Sequence, residues 1–263
     1  MGFSCKEGRV NGMDYIRFGT GSRALVMLPG LGDGLKTVKG TALPMAWMYR
    51  CFSKEFTVYL FSRKDPMTTG YTTREMATDL AEAMAELGIE KAAVLGVSMG
   101  GMIAQWLAID YPNLVEKLIL AVTCAESNDI LVSSVEEWMA QARQNDHTAL
   151  MDSNLKKIYS EKYYRANRWM VPILSKVTKP KSYDRFLILA QACLTHNAAA
   201  ELANIQCPTY VIGGEQDQAL GAEASRQMAA VIPDAKLQMY PQWGHGLYEE
   251  AGDFNSRVLE FLQ

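Results

Sequence analysis

The feature that most constrains this chain is an alternation of short apolar runs with helix-spaced segments, interrupted once and then resumed. "FTVYLFSR" (Phe56–Arg63), "KAAVLGVS" (Lys91–Ser98) and "VEKLILAVT" (Val115–Thr123) are strand-like runs of aliphatic, aromatic and β-branched residues. Between them, Thr73–Gly88 and Met99–Pro112 carry apolar residues at helical spacing. Thr73 is expected to cap the first helix and Gly88 to end it; Pro112 stops the second. Such alternation predicts a mostly parallel sheet covered by helices on both faces, with right-handed crossovers. Two further strands, Met13–Gly19 and Arg23–Gly30, come first. After position 206 the pattern returns: "CPTYVIGG" as a strand, Gly221–Val231 as a helix, "AKLQMYP" as a strand and Asp253–Leu262 as the closing helix.

The interruption is helical throughout. Val132–Gln144, Asp146–Tyr159, Glu161–Met170, Ser182–Thr195 and Asn197–Ile205 read as successive helices, with no strong strand among them. The expected organisation is therefore one α/β core, residues 1–123 and 206–263, with a helical insertion at 124–205. A chain of 263 residues is long enough to bury about 70–75% of its unfolded surface in such a core.

Composition excludes several classes. A net charge of −3 gives no overall attraction to nucleic acid or an anionic membrane. The five cysteines are odd in number, far apart and never in a CxxC pair, which fits a reduced cytoplasm better than a disulfide framework. The opening "MGFSCKEGRVNG" lacks the apolar core of a signal peptide. Gly2 suggests acylation, but Lys6 stands where that motif needs Ser or Thr. No apolar run of membrane-spanning length is present. No cysteine or histidine cluster suggests a metal, and Leu35 breaks the G-x-G-x-x-G pattern begun by Gly30 and Gly32, so no cofactor is expected.

The chemistry concentrates at Gly96-Val97-Ser98-Met99-Gly100, a G-x-S-x-G motif between a buried strand and a helix. A serine hydroxyl there needs a base, and the base an orienting acid. Of the three histidines, His245 lies between Gly244 and Gly246 just past the last strand. His147 reads as a solvated helix start and His196 as a helix end, so His245 is the candidate base. Asp217 follows a strand and a Gly-Gly turn and is the candidate acid; Glu126 and Glu215 are alternatives. Oxyanion donors are expected at the backbone N–H of Met99, and at Leu31 in "LPGLGDG". Ser153 and Lys156 form an isolated S-x-x-K in a helix, and Glu136-Glu137 and Glu249-Glu250 read as solvated pairs.

From Met13 to Leu262, carried by "GVSMGG", "GGEQD" and "GHGLYEEAGDFN", the chain resembles the α/β-hydrolase superfamily, in the branch with a helical cap after the sixth strand. The order Ser98, Asp217, His245 is the order of that family's triad. Two places depart from the family: Pro29-Gly30 replaces the frequent His-Gly, and "SRKDPMTTGYTTRE" replaces the usual Asp-x-x-Gly loop. The resemblance implies hydrolysis of a small carboxylic ester, thioester or lactone through an acyl-enzyme on Ser98. It also allows C–C bond hydrolysis, perhydrolysis, or a small-molecule receptor with a slow triad.

Overall fold

The computed structural model describes residues 5–263. Gly2, considered above for acylation, lies outside them. Eight strands form one sheet: β1 (Cys5–Val10), β2 (Met13–Phe18), β3 (Arg23–Leu28), β4 (Phe56–Lys64), β5 (Ala92–Val97), β6 (Val115–Ala121), β7 (Thr209–Gly214) and β8 (Lys236–Tyr240). Their order is β1-β2-β4-β3-β5-β6-β7-β8. β1 pairs antiparallel with β2, and β2 with β4; the strands from β4 through β3 to β8 run parallel.

The helices are α1 (Ala42–Met48), α2 (Thr73–Glu86), α3 (Met99–Asp110), α4 (Asp129–Arg143), α5 (His147–Ile158), α6 (Glu161–Asn167), α7 (Val171–Thr178), α8 (Asp184–Leu194), α9 (Glu223–Val231), α10 (Leu247–Glu250) and α11 (Phe254–Leu262). α4 to α8 all lie between β6 and β7. The sheet separates two apolar cores. Alternate strand residues such as Val26 and Val94 face α2, α3 and the helical segment, while Leu25, Leu95 and Ile119 face α1 and α11. β5 is buried at every position, as expected for a central parallel strand.

Several sequence readings are corrected. β1 was not expected: its Cys-Lys-Glu-Gly-Arg-Val sequence lacks apolar alternation because it is a half-solvated edge strand. α1 and α7 also form where no helix was read. The cap of α2 is Thr72, one residue earlier than expected. Its hydroxyl accepts from Glu75 N, and the Glu75 carboxylate accepts from Thr72 N at 2.7 Å, closing a capping box. Thr73 instead turns inward. The last helix expected in the insertion, 197–205, is a 3-10 turn over Ala199–Asn204. Among the described residues no helix is long and apolar enough to cross a membrane.

Candidate active site

β5 ends by running into Ser98, whose backbone is held at φ 53°, ψ −122°. A side chain rarely adopts that region, and a strained residue held firmly by its surroundings is a frequent mark of function. Here the surroundings are close. Ser98 N donates to Ala121 O on β6 at 2.9 Å. A Cβ on Gly96 would meet the backbone of Gly100 and Gly101, and one on Gly100 would overlap the Leu28 carbonyl of β3. The small residues therefore serve a tight crossing of strand and helix that turns one hydroxyl outward.

His245 sits between β8 and α10 and is buried. Its Nδ1 lies 2.8 Å from Asp217 Oδ2. The other Asp217 oxygen accepts from the N–H groups of Ala219 and Leu220, at 2.8 and 2.9 Å. Burial pushes the Asp217 carboxyl upward, but the imidazole and these two N–H groups outweigh it and hold the carboxyl below its ordinary value. The alternatives lie elsewhere: the Glu215 carboxylate is taken by Arg226, and Glu126 is exposed. Bonding through Nδ1 leaves Nε2 of His245 as the nitrogen available to the cavity.

Ser98 and His245 line one cavity of about 400 Å³, shared with Gly30 and Leu31. Among the described residues no hydrogen bond joins the hydroxyl to the imidazole in this resting geometry, a spacing common before substrate binds. Met27, Leu60 and Leu95 supply its apolar floor from the sheet, and Met45 and Met48 its wall from α1. Trp138 and Tyr159 close it from the helical segment. Met99 and Leu31 each open a helical turn, so their N–H groups have no acceptor within it.

Sequence reasoning missed how the two loops around the cavity are fastened. The carbonyl of Pro29 accepts from the buried Arg63 guanidinium. Asp33, with a fully buried side chain, accepts from Arg63 N at 3.0 Å and pairs with Arg185 of α8. Arg185 also donates to the carbonyls of Asp33, Arg63 and Lys64. At this turn, buried charge anchors Pro29-Gly30. On the other side, Gly246 N donates to Ile158 O at 2.6 Å, Tyr159 Oη to Glu249 at 2.7 Å, and both Ser160 N and Oγ to Glu250. Glu249 and Glu250 thus join the helical segment to the His245 loop and are not merely solvated.

The other two histidines are structural. His147 is buried against Thr178, at 3.1 Å, and is not a solvated helix start. His196 is buried with Nδ1 at 2.9 Å from Thr73 Oγ1, and burial lowers its pKa to about 4. Among the described residues there is no cluster of three or more metal-ligating side chains.

A family profile described as the alpha/beta hydrolase fold matches residues 23–252. The chain belongs to that family. Among curated relatives, it is 25% identical to a 2-hydroxy-6-oxononadienedioate/2-hydroxy-6-oxononatrienedioate hydrolase of a Pseudomonas species, covering 97% of this chain and 94% of the relative. It is 26% identical to 3-oxoadipate enol-lactonase 2 of Acinetobacter baylyi, over 78% of this chain and 76% of the relative. A solved α/β hydrolase from a Medee basin deep-sea metagenome library superposes with a TM-score of 0.82 at 24% identity, covering 95% of this chain and 94% of that one.

Proposed function

We propose that this α/β-hydrolase fold protein hydrolyses a small carboxylic ester, thioester or lactone through an acyl-enzyme on Ser98. The observation that carries the reading is the meeting of a strained Ser98 and an Asp217-paired His245 at one apolar cavity. Ser98 Oγ attacks the carbonyl carbon. His245 Nε2 takes the hydroxyl proton and gives it to the departing oxygen or sulfur. Asp217 holds the Nδ1 proton and stabilises the charged ring. The N–H groups of Met99 and Leu31 receive the developing oxyanion, each worth about 100- to 1,000-fold in rate. Water, deprotonated by His245, then releases the acid and restores Ser98. The floor of Met27, Leu60 and Leu95 suits the acyl chain, and α4 to α8 act as a cap that excludes bulk water.

The named relatives support hydrolysis and divide on the bond: one is an enol-lactonase, the other a hydrolase of 2-hydroxy-6-oxo dienoic acids. The ester reading is favoured because the cavity's floor of Met27, Leu60 and Leu95 and its wall of Met45 and Met48 are apolar and suit an acyl chain.

The test is fluorophosphonate labelling read by peptide mass spectrometry, paired with multiple-turnover hydrolysis of nitrophenyl esters. One adduct on Ser98 is expected, absent in Ser98→Ala and slowed in His245→Ala. A folded protein that takes no label, or takes it elsewhere, overturns the assignment. Slow single turnover points to a receptor, and cleavage of a dienoic diketone without ester turnover points to C–C hydrolysis.

A further inference from the structure

We infer that the exposed face of residues 162–181 is a docking surface for an anionic lipid bilayer. From Lys162 to Lys181 the sequence has six lysines and arginines and no aspartate or glutamate. All six cations are exposed. The overall charge of −3 hides this local excess.

An apolar stripe accompanies the charge. Trp169, Ile173 and Val177, spaced four residues apart, are 66, 60 and 76% exposed. Trp169 lies in the 3-10 turn Arg168–Met170 that leads into α7, and Ile173 and Val177 are not on the packing side of α7. α7 turns Val171 and Ser175 inward, where Ser175 Oγ meets Thr148 Oγ1 at 2.9 Å. The stripe is thus a second apolar face without a partner among the described residues, and large exposed apolar side chains in a row mark an interaction site.

Cations beside a tryptophan-bearing aliphatic stripe fit the interface of a negatively charged bilayer: the rings and aliphatic chains enter the headgroup boundary while the lysines and arginines meet lipid phosphates. Nucleic acid would use the cations but leave Ile173 and Val177 without a role. The segment also reaches the cavity. Tyr163 stacks on Tyr159, a cavity wall, with ring centroids 4.4 Å apart. α1 also lends Met45 and Met48 to the cavity lining and exposes Leu43 and Trp47. Docking would bring the cavity rim near the membrane surface, where acyl chains are concentrated.

The full chain is sedimented with phosphatidylcholine vesicles containing or lacking phosphatidylglycerol. Pelleting only with phosphatidylglycerol, weakened by raising salt from low to physiological strength, is expected. Ile173→Ser/Val177→Ser and Lys162→Glu/Lys176→Glu/Lys181→Glu should each lower binding about tenfold or more. Unchanged thermal unfolding and unchanged turnover of a soluble ester separate lost docking from lost folding. The inference is overturned by no pelleting with phosphatidylglycerol at low salt, or by binding that neither variant reduces. Binding to duplex DNA without vesicle binding reassigns the surface to nucleic acid. A concentration-dependent dimer that the Ile173→Ser/Val177→Ser variant abolishes, without vesicle binding, reassigns it to a second copy. Because binding is the readout, the result does not depend on which bond the enzyme cleaves.

Discussion

The loop after β3 and the loop after β8 face the same cavity, yet the helical segment holds them by different chemistry. The first is clamped by buried charge: Asp33 pairs with Arg185 and accepts from the backbone N–H of Arg63, whose guanidinium holds Pro29 O. The second is tied by hydrogen bonds nearer the surface, from Ile158, Tyr159 and Ser160 to Gly246, Glu249 and Glu250. A buried ion that loses its partner costs about 3–5 kcal/mol, whereas a neutral hydrogen bond contributes about 0.5–1.5 kcal/mol and one to a carboxylate about 1.5–3 kcal/mol. The oxyanion loop should therefore be the rigid side of the cavity and the His245 loop the adjustable side. That division suits the proposed chemistry, since the oxyanion donors must be preorganised while the imidazole has to move between Ser98 and the leaving group.

The sharpest way to break this comparison is at Asp33. Asp33→Ala leaves the Arg185 guanidinium without its carboxylate, and urea unfolding should show a loss of about 3–5 kcal/mol. A loss below about 1 kcal/mol would mean the clamp is no stronger than its surface counterpart. Arg185→Gln keeps a donor but removes the charge from α8. It should act as a loss of positioning, lowering kcat about tenfold or more with KM little changed, and Arg185→Lys should restore part of it. An equal fall in a variant and its lysine rescue would reduce Arg185 to packing. On the adjustable side, Ser160→Ala removes a bond to the Glu250 carboxylate and should cost about 1.5–3 kcal/mol, changing kcat by less than the Arg185→Gln substitution, as measured by the same assays.

A third junction of body and helical segment responds to pH. Buried His196 on Thr73 resists protonation until about pH 4, whereas in the unfolded chain it protonates near 6.5. The unfolded state thus binds the extra proton first, so this contribution to stability is full above about pH 6.5 and is lost as pH falls toward 4. His196→Gln should flatten the fall in unfolding free energy across that window. A variant with the same slope as the parent would place the acid sensitivity elsewhere.

The sequence revealed what local backbone physics dictates. Gly96 and Gly100 announce a crossing that only small residues permit, and the strand–helix alternation announces the parallel sheet. His245 and Asp217 stand next to each other because each follows a parallel strand, and neighbouring strands deliver their loops to the same sheet edge. What stayed hidden depends on distant partners. Nothing in "SRKDP" marks Arg63 for burial, since arginine is ordinarily a surface residue and its acceptor lies 34 positions away at Pro29. Arg185 and Asp33 are separated by 152 positions. His147 reads as a solvated helix start and His196 as a helix end; His147 is buried against Thr178 of α7, and His196 against Thr73 of α2 and Trp106 of α3. β1 escaped notice because an edge strand needs no apolar stripe.

The central claim is that Ser98 carries the acyl group between two chemical steps. Rapid mixing with a nitrophenyl ester, an acid quench within the first turnover and intact-mass analysis test it most directly. The account predicts one added acyl mass, located to the Ser98 peptide, that decays as product acid accumulates and is missing in Ser98→Ala. Full turnover with no covalent species at any quench time, retained in Ser98→Ala, would contradict it.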